Sequence, residues 1–366
     1  MITTRDDRLK IRSYFQNQLI TISVFIIITI LFYLVINWLI PFDEASKIVI
    51  NPITDIPLKV VLVSFFLLLP LFWWTYFLPR KELNIYKSEE LKFIFLNFIL
   101  LFTIIIIFRT VILIRYDLPL EKIPMIYLIV IQIVFVEHYH PSDFGFHLNK
   151  FKNNITFSVF LLVSIGFLLI IIIGAIVFVL SIVGVLDLNE LFQISFSFNW
   201  SSLLYSLPYQ LFFVGLSEEL FFRGYFYTKL RSTNLGLVKS IFISSIFFGL
   251  FHISWYVSPS PPYFISNLNQ MLFHIGYTSV FGIFMCIIYE RTRSLITPII
   301  IHGFANSLGA SIILSHFVEI TTQSLIWFLG LITIFGIPTI YILIFWIIPK
   351  LTKWTNLENK IPFQQI

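Results

Sequence analysis

Ten stretches of predominantly apolar residues run along this chain, most of them about 20 residues long. An α-helix of that length crosses a hydrocarbon core of about 30 Å. The stretches are Leu19–Ile40, Lys59–Leu78, Phe93–Ile114, Ile123–Val136, Ile155–Val185, Leu203–Tyr227, Val238–His252, Leu272–Tyr289, Leu295–Leu314 and Ser324–Ile348. The fourth and seventh are short, so each is expected to be tilted, extended by polar residues, or re-entrant. Composition agrees: 58% of the 366 residues are hydrophobic, 43 are Phe and only 12% are charged. That charged share is about half the usual fraction of a soluble domain, and no soluble core absorbs so much apolar surface. The expected class is all-α, a polytopic transmembrane helix bundle of about ten spans with its chemistry in the C-terminal ones.

Charge is distributed as membrane orientation requires. Basic loops (Arg5/Arg8/Lys10/Arg12, Arg80/Lys81/Lys87/Lys92, Lys150/Lys152, Lys229/Arg231/Lys239, Arg291/Arg293, Lys350/Lys353/Lys360) alternate with loops poor in bases. Lys47, Arg115 and Lys122 are modest exceptions. The positive-inside rule then puts both termini in the cytoplasm. The net charge of +5 sits in these loops and is no nucleic-acid signal. The single cysteine, Cys286, can form no intramolecular disulfide. The first run is long enough to span and lacks a small-residue cleavage site, so no cleavable signal peptide is expected. A prokaryotic plasma membrane is the expected location.

Three spans carry polar side chains deep in apolar sequence. Ser217-Glu218-Glu219-Leu220-Phe221-Phe222-Arg223 places two carboxylates and an arginine in one helix. His252 closes Phe248-Gly249-Leu250-Phe251-His252, and His302 and Asn306 stand in Ile301-His302-Gly303-Phe304-Ala305-Asn306. Each charge near a bilayer centre costs roughly 2.5–3.5 kcal/mol on insertion scales, so three together need a reason. At 1.5 Å per residue, Glu218 is roughly 16 Å above Lys229, His252 about 20 Å above Lys239 and His302 about 14 Å above Arg293. Three separate helices thus bring their polar groups to one layer.

Helical spacing assigns faces. Neighbouring residues lie about 100° apart, so Glu218 and Glu219 are not expected to face one cavity. Glu219 and Arg223, spaced i,i+4, read as an ion pair supporting the site, which leaves Glu218 free. His302 and Asn306 share a face, as do Phe248 and His252, with Phe248 expected to wall the pocket. A buried carboxylate can activate water, and Asn306 with a histidine can stabilise an oxyanion. Alternatively, His252, His302 and a carboxylate could hold Zn²⁺ with an open fourth position, although no HExxH spacing occurs. The residues leave both readings open.

Glu218-Glu219-x-x-x-Arg223, Phe248-x-x-x-His252 and His302-x-x-x-Asn306 together resemble the type II CAAX prenyl endopeptidases of the CPBP (Abi) family of intramembrane proteases. The resemblance runs roughly from Pro141 to Leu314. It implies a region 1–140 of four spans and unknown role, a catalytic core at 141–320, and a last span with a cytoplasmic tail at 321–366. It also implies peptide-bond hydrolysis near the cytoplasmic face, with Glu218 as base, His252 as its partner, and His302 and Asn306 stabilising the oxyanion. Family members are often labelled metalloproteases, and a metal-free glutamate mechanism is also argued for them. The implied partners are membrane lipid and a membrane-associated protein or peptide substrate.

Other polar residues take plainer readings. Arg109 is expected to snorkel to the interface. His274 with Gln270 reads as a packing pair, and His138, His140 and His147 as solvated loop residues. A transporter or non-catalytic binding protein, using the same charges as a substrate or proton path, is the alternative function. No internal symmetry of transporter type is visible.

Overall fold

The computed structural model describes residues 5–39, 91–116, 121–182, 195–256, 268–315 and 338–357, with scattered positions between 66 and 77. Most of the second and tenth expected spans therefore lies outside the described residues. The protein is an all-α integral membrane bundle. Four described helical segments are long and apolar enough to cross a bilayer: Leu91–Val111, Phe151–Val179, Gly236–Tyr256 and Met271–Thr292.

In chain order the helices are α1 (Arg5–Leu39), α2 (Leu91–Tyr116), α3 (Lys122–Ile131) and α4 (Phe151–Ile182). A π-helical turn, Gln132–Val136, extends α3. A continuous rod follows at 200–231, made of α5 (Trp200–Tyr209), α6 (Leu216–Glu219) and α7 (Thr228–Arg231). π-helical stretches at Gln210–Gly215 and Leu220–Tyr227 join its parts. Then come α8 (Gly236–Leu250) with a 3₁₀ extension Phe251–Tyr256, α9 (Leu268–Thr292), α10 (Ile296–Ser311) and α11 (Ile348–Trp354).

Two features were not expected. Residues Ser195–Phe198 (β1) and Ile312–Ser315 (β2) pair antiparallel, with Ser195 opposite Ser315 and Phe198 opposite Ile312. β1 leads into the rod and β2 follows α10, so this clasp fixes the two helices as antiparallel neighbours. Asn199 caps the rod by accepting from the Ser202 amide at 3.0 Å. The second feature is the rod's irregularity. Pro208 removes one backbone donor, and the first π-helical stretch follows it closely. The four residues carrying Glu218 and Glu219 are thus bracketed by wider turns of the kind that often marks functional sites.

Packing rests on aromatic interdigitation. Phe98 of α2 stacks on Phe221 at 5.2 Å, and Phe222 meets Phe248 edge-on at 5.2 Å and Phe251 at 5.4 Å. Lipid tails are as apolar as these rings, so what holds the helices together is close contact rather than escape from water. At Gly249 a Cβ would meet the Ile275 carbonyl at 2.6 Å and collide with Ser279 Oγ, so glycine alone allows α8 to lie this close to α9.

Candidate active site

The site forms where α6, α8, α10 and the facing ends of α2 and α3 converge. Gly303 brings α10 against the rod: a Cβ there would stand 2.7 Å from Leu211 Cδ2 and 3.0 Å from the Gln210 carbonyl carbon. That approach carries His302 onto the carboxylates. Its Nδ1 lies 2.7 Å from Glu219 Oε1, and its Nε2 lies 3.8 Å from Glu218 Oε2. One imidazole therefore reaches both glutamates, contrary to the expectation that the two face different spaces. The two glutamates leave the helix about 100° apart, and a ring arriving from another helix can sit between them.

Glu219 is fully buried and also accepts from Arg223 Nη1 at 3.0 Å. Arg223 Nη2 reaches the Gly282 carbonyl at 3.3 Å, and the guanidinium lies 4.2 Å from the centre of the Phe248 ring. The arginine thus ties the rod to α9 and α8 at once.

The largest correction concerns the N-terminal region. Arg109 does not snorkel. It is 1% exposed, donates to Glu121 Oε1 at 2.7 Å and to Ser254 Oγ at 2.6 Å, and stacks over Phe251 and Trp255. Lys122 is equally buried, binds Glu218 Oε1 directly and lies 3.3 Å from Glu121 Oε1. Arg109 Nη1 stands 3.9 Å from the same Glu218 oxygen. Helices α2 and α3 therefore carry buried charge, and they deliver it to the site. The shortness of the fourth apolar run was the available signal: α3 begins at the depth of Glu218 instead of crossing past it. A second buried network joins the same regions, with Glu137 bound by Lys229 at 2.6 Å and Tyr225 at 2.5 Å, and by Asn97 at 3.2 Å.

His252 lies in the 3₁₀ extension, one turn beyond Phe248, with Nδ1 2.9 Å from the Phe248 carbonyl. Phe248 stands between the two histidines, its ring centre 5.1 Å from that of His252 and 5.9 Å from that of His302. His252 also faces His274 at 5.0 Å, and His274 Nδ1 is 2.7 Å from the Tyr256 hydroxyl. The side chain of Gln270 lies outside the described residues. Asn306 donates to Gln210 Oε1 at 3.1 Å, so Gln210, unmarked in the sequence motifs, orients it and leaves its second amide hydrogen uncommitted to that bond. In the loop, His147 makes bonds through both ring nitrogens and His140 caps a short turn.

The residues do not fit a zinc ion. Among the described residues no group of three or more His, Cys, Asp or Glu is placed to hold a metal. Each site histidine has Nδ1 committed and Nε2 open, as a ligand would. The carboxylate that would complete the set, however, already has the Lys122 ammonium on Oε1 and the Arg109 guanidinium at 3.9 Å. Two cations beside the third ligand oppose a dication there.

All three motifs fall within residues 199–308, and that stretch matches the family described as type II CAAX prenyl endopeptidase Rce1-like. Over these residues the chain is similar to that family. Curated relatives agree. A probable CAAX prenyl protease 2 of Schizosaccharomyces pombe is 31% identical over 97 residues, covering 26% of this chain and 36% of the relative. CAAX prenyl protease 2 of Homo sapiens is 33% identical over 97 residues, 26% of this chain and 29% of the relative. The Arabidopsis thaliana protein of the same name is 27% identical over 105 residues, 28% and 33% of the two chains. The chain spans about a third of the length of these relatives. No solved structure matches. Arg109, Glu121, Lys122 and Glu137 all precede the Rce1-like stretch.

Proposed function

We propose that the protein is an intramembrane endopeptidase that hydrolyses a peptide bond in a membrane-associated protein or peptide near the cytoplasmic face. One observation carries this reading. Glu218 Oε1 is anchored by Lys122, while Oε2 is buried, has no hydrogen-bond partner and faces His302 Nε2 across 3.8 Å. Polar atoms at that separation can share one water molecule.

In the proposed reaction Glu218 Oε2 takes a proton from water as the water oxygen bonds to the scissile carbonyl carbon. His252, its ring held by the Phe248 carbonyl, is the proposed partner of Glu218 in that proton transfer. His302 can carry a proton on Nε2 with Glu219 as counter-charge, and Asn306 retains an amide hydrogen. Both can donate to the oxyanion. When the C–N bond breaks, the proton held by Glu218 passes to the departing amine. Phe248 and Arg223 keep the two histidines and Glu219 in register. We further propose about ten spans, with both termini cytoplasmic and a catalytic core at 141–320.

The relatives' names make a prenylated CAAX-type peptide the first substrate class to test. Purified full-length protein in lipid nanodiscs is given a farnesylated CAAX peptide, and the released C-terminal fragment is followed by mass spectrometry. Glu218→Gln keeps the shape and removes the base, so the purified, folded variant should release no fragment. Cleavage retained by the purified Glu218→Gln protein would defeat the mechanism.

A further inference from the structure

The residue nearest the proposed base comes from outside the Rce1-like stretch. Lys122, the first residue of α3, bonds Glu218 Oε1. It does not stand alone. Glu121, the N-cap of α3, accepts Arg109 Nη1 at 2.7 Å and lies 3.3 Å from the Lys122 ammonium, so the two cations share one carboxylate. Arg109 is held in turn by Ser254 Oγ, two residues past His252. Both cations also lie over the Phe251 ring, at 4.3 Å for Arg109 and 4.8 Å for Lys122. The groups around Glu218 are thus Lys122 and Glu121 from α3, Arg109 from α2, His252 from the turn after α8, His302 from α10 and Glu219 on its own helix.

The geometry points to Lys122 as a positioning residue for the Glu218 carboxylate, with Glu121 and Arg109 fixing the ammonium in place. The terminal torsion of a glutamate is broad, so nothing local decides which oxygen meets the substrate. An ammonium on Oε1 decides it and leaves Oε2 toward His302. It also supplies the counter-charge that a carboxylate needs in a site shut off from water. Arg109 and Lys122 balance Glu121 and Glu218, while Arg223 balances Glu219, so the site's carboxylates and its lysine and arginine cations cancel. Helices α2 and α3 are therefore part of the active unit, although they precede the stretch shared with the relatives.

This inference rests on the peptidase reading, and the test separates the two. Full-length Lys122→Met, Lys122→Arg, Glu218→Gln and the Lys122→Met/Glu218→Gln double variant are purified in nanodiscs. They are assayed on the farnesylated CAAX peptide and melted without substrate. A misplaced carboxylate costs about 10² in rate, so Lys122→Met should lower kcat about that much with KM little changed. Lys122→Arg, which restores a charge and a donor, should recover most of the loss. In melting, Lys122→Met should cost wild type more than it costs the Glu218→Gln protein, because the pair is already broken there. Wild-type kcat in Lys122→Met, or an equal melting loss in both backgrounds, overturns the inference. Should Lys122→Met not accumulate, Lys122→Gln replaces it with the same pair of outcomes. Cleavage by Glu218→Gln would instead defeat the peptidase reading, while the melting comparison still reports the pair.

Discussion

Arg223→Ala is the substitution whose consequence can be worked furthest from the geometry. The guanidinium is fully buried and makes three contacts: Glu219 at 3.0 Å, the Gly282 carbonyl at 3.3 Å and the Phe248 ring face at 4.2 Å. Two unit charges about 3 Å apart attract by roughly 5–6 kcal/mol at an effective dielectric of about 20. Desolvation consumed much of that when the pair was buried, but Arg223→Ala does not recover it, because Glu219 stays behind without its cation. Breaking such a pair costs about 3–5 kcal/mol. Losing the ring contact adds to this, at about 2 kcal/mol when desolvated, although such contributions are not additive. His302 offsets part of the loss, since its Nδ1 at 2.7 Å can hold a proton against Glu219. We expect a net cost near 3–5 kcal/mol, a large share of a typical total stability of about 5–15 kcal/mol. Cys286 offers the assay: it is the chain's single cysteine, free and fully buried in α9. Its labelling by a thiol-reactive fluorophore during a thermal ramp in detergent reports opening of the bundle. Arg223→Ala should expose the thiol at a clearly lower temperature, and Arg223→Lys, which keeps charge but loses the fork, should fall between. Labelling of Arg223→Ala at the wild-type temperature would refute the reasoning.

Two further outcomes follow. Asn306→Ala should lower kcat by about 10²–10³ if its free amide hydrogen serves the oxyanion, with the melting temperature moving little; a rate near wild type in the peptide assay would remove Asn306 from that role. Topology reporters fused at Asn267 and Arg231 should report opposite sides of the membrane, and a shared side would show that the span count between them is wrong.

Much of the site was legible because its signals are local. Glu219 and Arg223 are one helical turn apart on the same helix, so their pairing could be read from spacing alone. Counting residues back to basic loops put Glu218 and His302 at one expected level, and the two side chains do meet, 3.8 Å apart. Arg109 was misread because its partners lie outside its own helix: Glu121 is 12 positions on and Ser254 is 145 positions away. A lone arginine near a span's end is ordinarily free to reach the interface. Only packing reveals that an acid and a hydroxyl wait for it inside. The Gln210–Asn306 bond and the β1–β2 clasp were hidden for the same reason, since each joins segments about a hundred residues apart.

The sequence by itself determined the class of the protein and the chemistry available to it. Apolar runs of membrane length admit few architectures, and charges that costly are confined to places where something uses them. What tertiary structure alone decided is which groups meet. It placed His302 between both glutamates and brought Lys122 and Arg109 from the N-terminal helices onto Glu218. The physical reason is that helix periodicity sets which way a side chain points along its own axis. The partner it finds depends on close approach between helices, here made by Gly303 and Gly249, where a single Cβ would hold the backbones apart.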